Sequence, residues 1–290
     1  MKLYKDYVKI KFNNKIVKLD TGINMAYYEF GENNDMPLML IHGVTDGCVT
    51  WTQLIPGLVE LGYHLYIVEY RGNGMTDKPE ADANGYTAEL IAEDVINLMD
   101  KIGLQKANVA GHSYGSLISQ VLCAKYPEKF TSCILMATGI DCQGDLIKLA
   151  KEGDGKFLGM YEYKDYLPEE FCEEWMATSN EDPDFCQAVA MHLKQMPIAA
   201  YRNLIIGLEH FNGREWLPYI AGPISVVWGT DDDIFDEKQQ KSVVKELRNA
   251  KVNWVEVSGA SHNAFWDSEN MAKKYINIID ECVKWSLGQF

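Results

Sequence analysis

The sequence has few basic residues, no cysteine pair of the C-x-x-C type and no long apolar run. Its 27 lysines and arginines are outnumbered by 42 aspartates and glutamates, so the formal net charge is −15. This excess of negative charge argues against binding to nucleic acid or to an anionic membrane surface. No apolar stretch reaches the roughly 18 residues that a membrane-spanning helix needs. The sequence therefore predicts neither a nucleic-acid partner nor a membrane partner.

The cysteines and the N-terminal residues predict a reducing compartment. The seven cysteines are an odd set, so they cannot all pair within one chain. Cys123 and Cys133 lie in apolar runs, where cysteine acts as a small hydrophobic residue. Residues 1–6 contain none of the apolar core of a signal peptide. We therefore expect a cytoplasmic protein.

Along most of the chain, short apolar runs alternate with helical patterns. Before this alternation, segments 7–12, 15–19 and 25–30 are typical of antiparallel strands, with an Asn-Asn turn between the first two. The apolar runs that follow are 38–41, 65–68, 107–110, 133–137, 224–228 and 252–257. Runs that are apolar on both faces favour parallel strands covered by helices on both sides. Helices are predicted over 52–61, 87–102, 114–126, 237–247 and 270–287.

The alternation stops between residues 139 and 218. This stretch has no clear strand and contains short amphipathic segments at 169–178, 184–195 and 199–211, separated by prolines. An all-helical insertion between two strands of a parallel sheet accounts for this pattern. The sequence thus predicts an α/β core of residues 1–139 and 217–290, with a helical cap of residues 140–216 over one edge of the sheet.

One short motif indicates a nucleophile. The sequence Gly111-His112-Ser113-Tyr114-Gly115 follows an apolar run and opens a helical segment. A serine on a sharp strand-to-helix turn has a strained backbone, and the helix start crowds the strand. The residues two places away on either side must therefore be nearly free of side chain. Such a turn exposes the hydroxyl, so the pattern predicts that Ser113 is a nucleophile.

Groups that could activate Ser113 follow other predicted strands. The carboxyl ends of parallel strands gather at one edge of a sheet, where ligands bind. His262 follows the last apolar run, and Asp231, Asp232 and Asp233 follow the run before it. Serine needs a base within hydrogen-bond reach, and a carboxylate on the other ring nitrogen fixes the histidine tautomer. The chain order predicts a triad of Ser113, one of the three acids and His262.

The first apolar run ends in a turn that could complete the site. Gly43 permits a conformation that directs the N–H of Val44 inward, and with the N–H of Tyr114 it would form a two-donor oxyanion hole. A plain strand-ending turn is the alternative interpretation. The glycine-rich residues 72–77 have aspartate where a dinucleotide fingerprint has its third glycine, which predicts a structural loop. No H-E-x-x-H motif or cysteine–histidine cluster occurs, so neither a metal nor a cofactor is predicted.

Together these motifs resemble those of the α/β-hydrolase superfamily, from about residue 20 to the C-terminus. The matching segments are 42–43, 71–74 with Pro79, 111–115, 229–232 and 261–262. The resemblance implies an α/β-hydrolase fold: a mostly parallel central sheet, helices on both faces and a helical cap. It also implies that the acid is Asp232, three residues after Gly229. Asp231 and Asp233 remain as alternatives.

The resemblance further implies a carboxylesterase-like serine hydrolase that cleaves a small, largely apolar ester or lactone through an acyl-enzyme. Amide hydrolysis, C–C bond hydrolysis or acyl transfer on the same triad are alternatives, and a non-catalytic ligand receptor is another. Haloalkane dehalogenases and many epoxide hydrolases carry aspartate at the position of Ser113, which argues against their activities here. The expected partner is a small-molecule substrate. Substrate-lining residues are predicted in the cap, at Met160, Tyr161, Trp175 and Met191.

Overall fold

The computed structural model describes residues 13–142, 166, 167, 172 and 182–289. Its strands are β1 (Lys15–Lys18), β2 (Asn24–Phe30), β3 (Met36–Ile41), β4 (Tyr63–Glu69), β5 (Ala107–His112), β6 (Phe130–Met136), β7 (Pro223–Gly229) and β8 (Lys251–Val257). They form one sheet in the order β1-β2-β4-β3-β5-β6-β7-β8. β2 pairs antiparallel with β1 and β4, and all other neighbours pair in parallel. The predicted mostly parallel sheet is confirmed.

The described helices cover this sheet. They are α1 (Ile55–Glu60), α2 (Ala88–Lys101), α3 (Tyr114–Lys125), α4 (Pro183–Leu193), α5 (Ile198–His210), α6 (Glu237–Glu246), α7 (Ala264–Asp267) and α8 (Glu269–Ser286). The side chains of Thr87, Asp236 and Ser268 cap α2, α6 and α8 by accepting backbone N–H groups of their first turns. α2 packs with α3, and α1 packs with α8. Two helical layers thus enclose the sheet.

The predicted strands and helices are largely present, with shifted ends. All six residues of β5 are buried, as its continuous apolar run indicates. Helix α1 starts at Ile55 and not at Thr52, because residues 48–51 first form a 3₁₀ helix. The predicted strand over 7–12 lies outside the described residues. The segment over 15–19 is present as β1, and it pairs with β2 through a tight turn in which Leu19 N–H donates to Ile23 O (2.8 Å).

Two helices of the predicted cap are described. Helices α4 and α5 lie between β6 and β7 in the chain and correspond to the predicted segments 184–195 and 199–211. The predicted segment 169–178 falls outside the described residues, apart from Cys172. α4 contacts the 3₁₀ turn Cys48–Trp51, and α5 contacts the 3₁₀ turn Ala83–Tyr86. Both helices therefore pack over segments that follow β3 and β4.

The loop after β4 is anchored by a buried ion pair. Arg71 donates from Nε and Nη2 to the two carboxylate oxygens of Asp94, at 2.6 and 2.7 Å. Its third donor, Nη1, reaches Gly85 O at 2.9 Å. Such a two-pronged, buried pair fixes both partners in position. The loop that begins at Arg71 is thus tied to α2.

The cysteines and the helices give two further facts. All seven cysteines are free thiols, and six of them are buried. No described helix combines the length and the apolar character needed to cross a membrane.

Candidate active site

Ser113 lies on a strained turn between β5 and α3. Its φ of 51° and ψ of −122° are a conformation that non-glycine residues rarely adopt. A Cβ atom on Gly111 would lie 2.2 Å from Gly115 O, and one on Gly115 would lie 2.2 Å from Ile41 O. Both neighbours are glycine because backbone atoms occupy the space of a side chain. The turn therefore has the geometry of a nucleophile elbow.

Replacing Gly115 with alanine should lower the free energy of unfolding by roughly 1–3 kcal/mol, the usual cost of forcing extra volume into a packed interior. The added methyl group meets the Ile41 carbonyl, which belongs to β3 and cannot rotate away as a side chain would. Urea denaturation measures the change. Gly222→Ala is the matched control, since a Cβ there has no neighbour within 4 Å. Equal stability of the two variants would contradict this account of the turn.

Three side chains from different loops form a relay beside the turn. Ser113 Oγ lies 3.0 Å from His262 Nε2, and His262 Nδ1 lies 3.0 Å from Asp232 Oδ1. All three residues are buried. An ionised carboxylate oxygen such as Asp232 Oδ1 can only accept a hydrogen bond. His262 Nδ1 therefore carries the ring proton, and His262 Nε2 is available to accept a proton from Ser113. This is the arrangement that activates a serine hydroxyl.

Only one of the three consecutive acids contacts His262. Asp232 Oδ1 also accepts the N–H groups of Ile234 (3.0 Å) and Phe235 (2.9 Å). These bonds hold the carboxylate in its buried position. Asp231 and Asp233 are exposed. The choice of Asp232 follows from the turn itself, which directs this one side chain inward.

The residues that carry the two predicted oxyanion donors, Val44 and Tyr114, lie close to Ser113. A Cβ on Gly43 would lie 3.2 Å from Ser113 Cβ, so the turn that contains Val44 passes close to the serine. Gly43 N–H donates to Asp46 Oδ2 (2.9 Å), and its carbonyl accepts the Tyr70 hydroxyl (2.6 Å). Tyr114 is the first residue of α3, so its N–H has no partner within the helix. Their use as an oxyanion hole remains a prediction.

Two buried histidines support these loops. His112 Nε2 donates to the carbonyl of His262 (2.9 Å), and its Nδ1 lies 3.3 Å from Asp46 Oδ2. His42 stacks on Tyr70 at 4.3 Å. Burial lowers the pKa of His42 to about 4, so its ring is neutral. His112 is a positioning residue that sequence reasoning missed, because a variable place in the serine motif carries no signal of its own.

A small cavity opens beside Ser113. Its apolar wall comes from several loops and from α5: Val44, Cys142, Leu208, Ile234 and Phe235. Burial raises the pKa of Cys142 to about 12, so this residue contributes a neutral thiol. The cavity thus offers a small, largely apolar space next to the relay.

Of the four predicted substrate-lining residues, one lies in the described part of the chain. Met160, Tyr161 and Trp175 lie outside the described residues. Met191 is not among the described residues that line the cavity, and it is 59% exposed. Helix α4 buries the face that carries Phe185 and Val189, which directs Met191 outward. From the described part of the insertion, Cys142 and Leu208 reach the cavity instead.

Comparison with known proteins agrees with this fold. The family model described as the alpha/beta hydrolase fold matches residues 36–167. Epoxide hydrolase A of Mycobacterium tuberculosis is 30% identical over 97 residues, which cover 33% of this chain and only 30% of that protein. BpoC of the same organism, which is named as a non-heme bromoperoxidase, is 26% identical over 255 residues. The match covers 84% of this chain and 93% of BpoC. A thermophilic esterase from Thermogutta terrifontis superposes with a TM-score of 0.77 at 17% identity, covering 94% and 99% of the two chains.

The chain has the α/β-hydrolase fold, and residues 36–167 match the model of that family. The eight-stranded, mostly parallel sheet, its helices and the strained serine turn between β5 and α3 agree with this assignment. An epoxide hydrolase is among its sequence relatives, and an esterase is among the solved structures that share its fold.

Proposed function

We propose that this chain is a serine hydrolase that cleaves small, largely apolar carboxylic esters or lactones through an acyl-enzyme. The observation that carries the proposal is the continuous relay from Ser113 Oγ through His262 to Asp232, with 3.0 Å at each step. Ser113, His262 and Asp232 are its catalytic residues. The site is buried, which strengthens each electrostatic interaction within it.

In the proposed reaction, Ser113 Oγ attacks the carbonyl carbon while His262 Nε2 accepts the hydroxyl proton. Asp232 stabilises the resulting imidazolium, and the N–H groups of Val44 and Tyr114 bind the oxyanion. His262 then returns the proton to the leaving alkoxide, and the ester C–O bond breaks. A water molecule, activated by the same histidine, hydrolyses the acyl-enzyme and regenerates Ser113.

The nucleophile favours acyl chemistry over epoxide opening. A carboxylate that opens an epoxide forms an ester, which water can hydrolyse in a second step. If Ser113 opened an epoxide it would form an ether, and the enzyme would not turn over. The resemblance to epoxide hydrolase A therefore supports the fold and the site layout more than the substrate.

The cavity supports a small, apolar acyl group. Leu208, Ile234 and Phe235 form an apolar wall beside Ser113, and apolar walls favour acyl chains over charged groups. Apart from its two histidines, the described lining of the cavity contains one charged side chain, Asp46. Short-chain esters and lactones fit this environment.

A substrate panel tests the proposal. We expect turnover of p-nitrophenyl acetate and butyrate and of a small lactone, with much slower turnover of a matched anilide and of styrene oxide. Replacing Leu208 with tryptophan should lower kcat/KM more for butyrate than for acetate, because it narrows the cavity. Met191→Trp, on the exposed face of α4, is the control and should leave the ratio unchanged. Faster turnover of the anilide, the epoxide or a diketone than of every ester would overturn the assignment.

A further inference from the structure

Three potential metal ligands converge away from the serine relay. Cys48 comes from the loop after β3, Glu69 ends β4, and His192 lies on α4 of the insertion. One ligand atom from each lies within 4.8 Å of the others. Cys48 is 2% exposed and Glu69 is fully buried, while the side chain of His192 is 11% exposed. None of the three is among the described residues that line the cavity at Ser113.

The carboxylate of Glu69 is only partly used by the protein. Its Oε2 accepts the Tyr28 hydroxyl (3.1 Å) and the N–H of Met75 (2.9 Å). Its Oε1 lies 3.0 Å from His192 Nε2, and neither atom makes a further hydrogen bond within the described chain. Oε1 and Nε2 thus face each other at the position that Cys48 Sγ also approaches. Each is the kind of atom that binds a metal ion.

Lys78 lies near this carboxylate, and its amine donates to the carbonyls of Gly74 (2.6 Å) and Thr76 (3.0 Å). Glu69 Oε1 therefore faces the cluster as a buried carboxylate oxygen.

Two glycines leave the space that the cluster occupies. A Cβ on Gly47 would lie 2.0 Å from His192 Nε2. A Cβ on Gly74, whose φ is +46°, would lie 2.0 Å from Glu69 Oε2. The backbone around the cluster is thus shaped to admit the imidazole and the carboxylate at close range.

We propose that Cys48 Sγ, Glu69 Oε1 and His192 Nε2 bind one zinc-class divalent metal ion that fastens helix α4 to the core. Thiolate, carboxylate and imidazole are the ligands that Zn²⁺ takes in proteins. A thiolate and a carboxylate together balance its two positive charges in a buried place. The open fourth position of a tetrahedral site takes water.

The separation between the oxygen and nitrogen ligands is close to that of a tetrahedral site. Nitrogen and oxygen ligands about 2.0–2.1 Å from a tetrahedral Zn²⁺ are about 3.3 Å apart. The separation between Glu69 Oε1 and His192 Nε2 is 3.0 Å. Zn²⁺ binds the thiolate form of cysteine, so metal binding must release the proton of Cys48. No sequence pattern predicts this site, because its ligands are spread from residue 48 to residue 192.

Cobalt(II) and zinc(II) test the site directly on the full-length chain. After dialysis against a chelator, titration with CoCl₂ should give one equivalent bound and a thiolate-to-cobalt charge-transfer band in the near ultraviolet. ZnCl₂ should displace the cobalt and raise Tm by roughly 5 °C or more at a hundredfold excess over Kd. The absence of stoichiometric binding would overturn the proposal and leave Glu69 and His192 as an ion pair only.

Ligand variants with matched controls locate the metal. Cys48→Ser should abolish the charge-transfer band, and His192→Gln should weaken metal binding by at least the roughly 10–100-fold that loss of a supporting residue costs. Cys186→Ser, on the same helix as His192, and His210→Gln, exposed on α5, are the controls and should bind as the parent chain does. Unchanged binding by both ligand variants would refute the assignment. Circular dichroism checks that each variant is folded, and metal analysis of the unmodified chain gives the stoichiometry independently.

Discussion

Replacing Ser113 with alanine should lower kcat/KM for p-nitrophenyl acetate by at least about 10³-fold, and by up to roughly 10⁶-fold. The variant keeps His262, Asp232 and the backbone N–H groups but has no atom to form the acyl-enzyme. Ester cleavage that remains would come from the oxyanion donors and from binding alone. Initial rates at saturating and limiting substrate measure the loss.

The fold of the Ser113→Ala variant should be intact. Ser113 N–H donates to Met136 O (3.1 Å) whatever the side chain, so the turn keeps its backbone anchor. Ser242→Ala, on α6, is the control and should hydrolyse the ester at the parent rate. Full activity of Ser113→Ala would show that another nucleophile, or a water molecule, attacks the ester.

Replacing Asp232 with asparagine should lower kcat by about 10⁴-fold. The neutral amide cannot stabilise the imidazolium that forms on His262. Its NH₂ group can also face Nδ1, which then carries no proton, and Nε2 is protonated instead. In that tautomer His262 cannot accept the proton of Ser113. The comparison of kcat for the two proteins at one pH measures the effect.

The neighbouring acid gives a matched control for this second prediction. Asp231→Asn makes the same chemical change one residue away, where the side chain is exposed. We expect its kcat within about twofold of the parent, because surface charges have small effects in water. Equal losses in the two variants would mean that the charge of the loop, and not its contact with His262, supports activity.

The strands of the core could be predicted from the sequence because their apolar runs are continuous. β5 and β6 are buried between two helical layers, so no polar face interrupts the pattern. The start of α1 was predicted at Thr52 but lies at Ile55, after the 3₁₀ turn Cys48–Trp51. Local patterns thus identified the strands and helices better than their ends.

Some residues of the candidate site could be predicted from a local motif, and others could not. Ser113 was predicted from a local motif, whose glycines are required by contacts between β5, α3 and β3. The acid remained open among Asp231, Asp232 and Asp233 on the residues alone, because only folding determines which of them is buried. His112 and the metal-ligand cluster depend on contacts between distant segments, which no spacing in the sequence reports.

The pocket was the least predictable part of the site. Its apolar wall combines the turn after β3, the acid loop and α5, so it follows no single sequence pattern. Large apolar residues are frequent in the insertion, and their number does not say which of them point to the serine. Met191 illustrates this, since the opposite face of α4 is the buried one.

Reaction with a fluorophosphonate probe is the most direct test that Ser113 is an activated nucleophile. The hydroxyl oxygen of the serine would bond to phosphorus, fluoride would leave, and His262 would take the proton. We predict one adduct per chain, located by mass spectrometry on Ser113, with labelling lost in Ser113→Ala and strongly slowed in His262→Ala. A folded chain that takes up no label, or takes it up at another residue, would contradict the account.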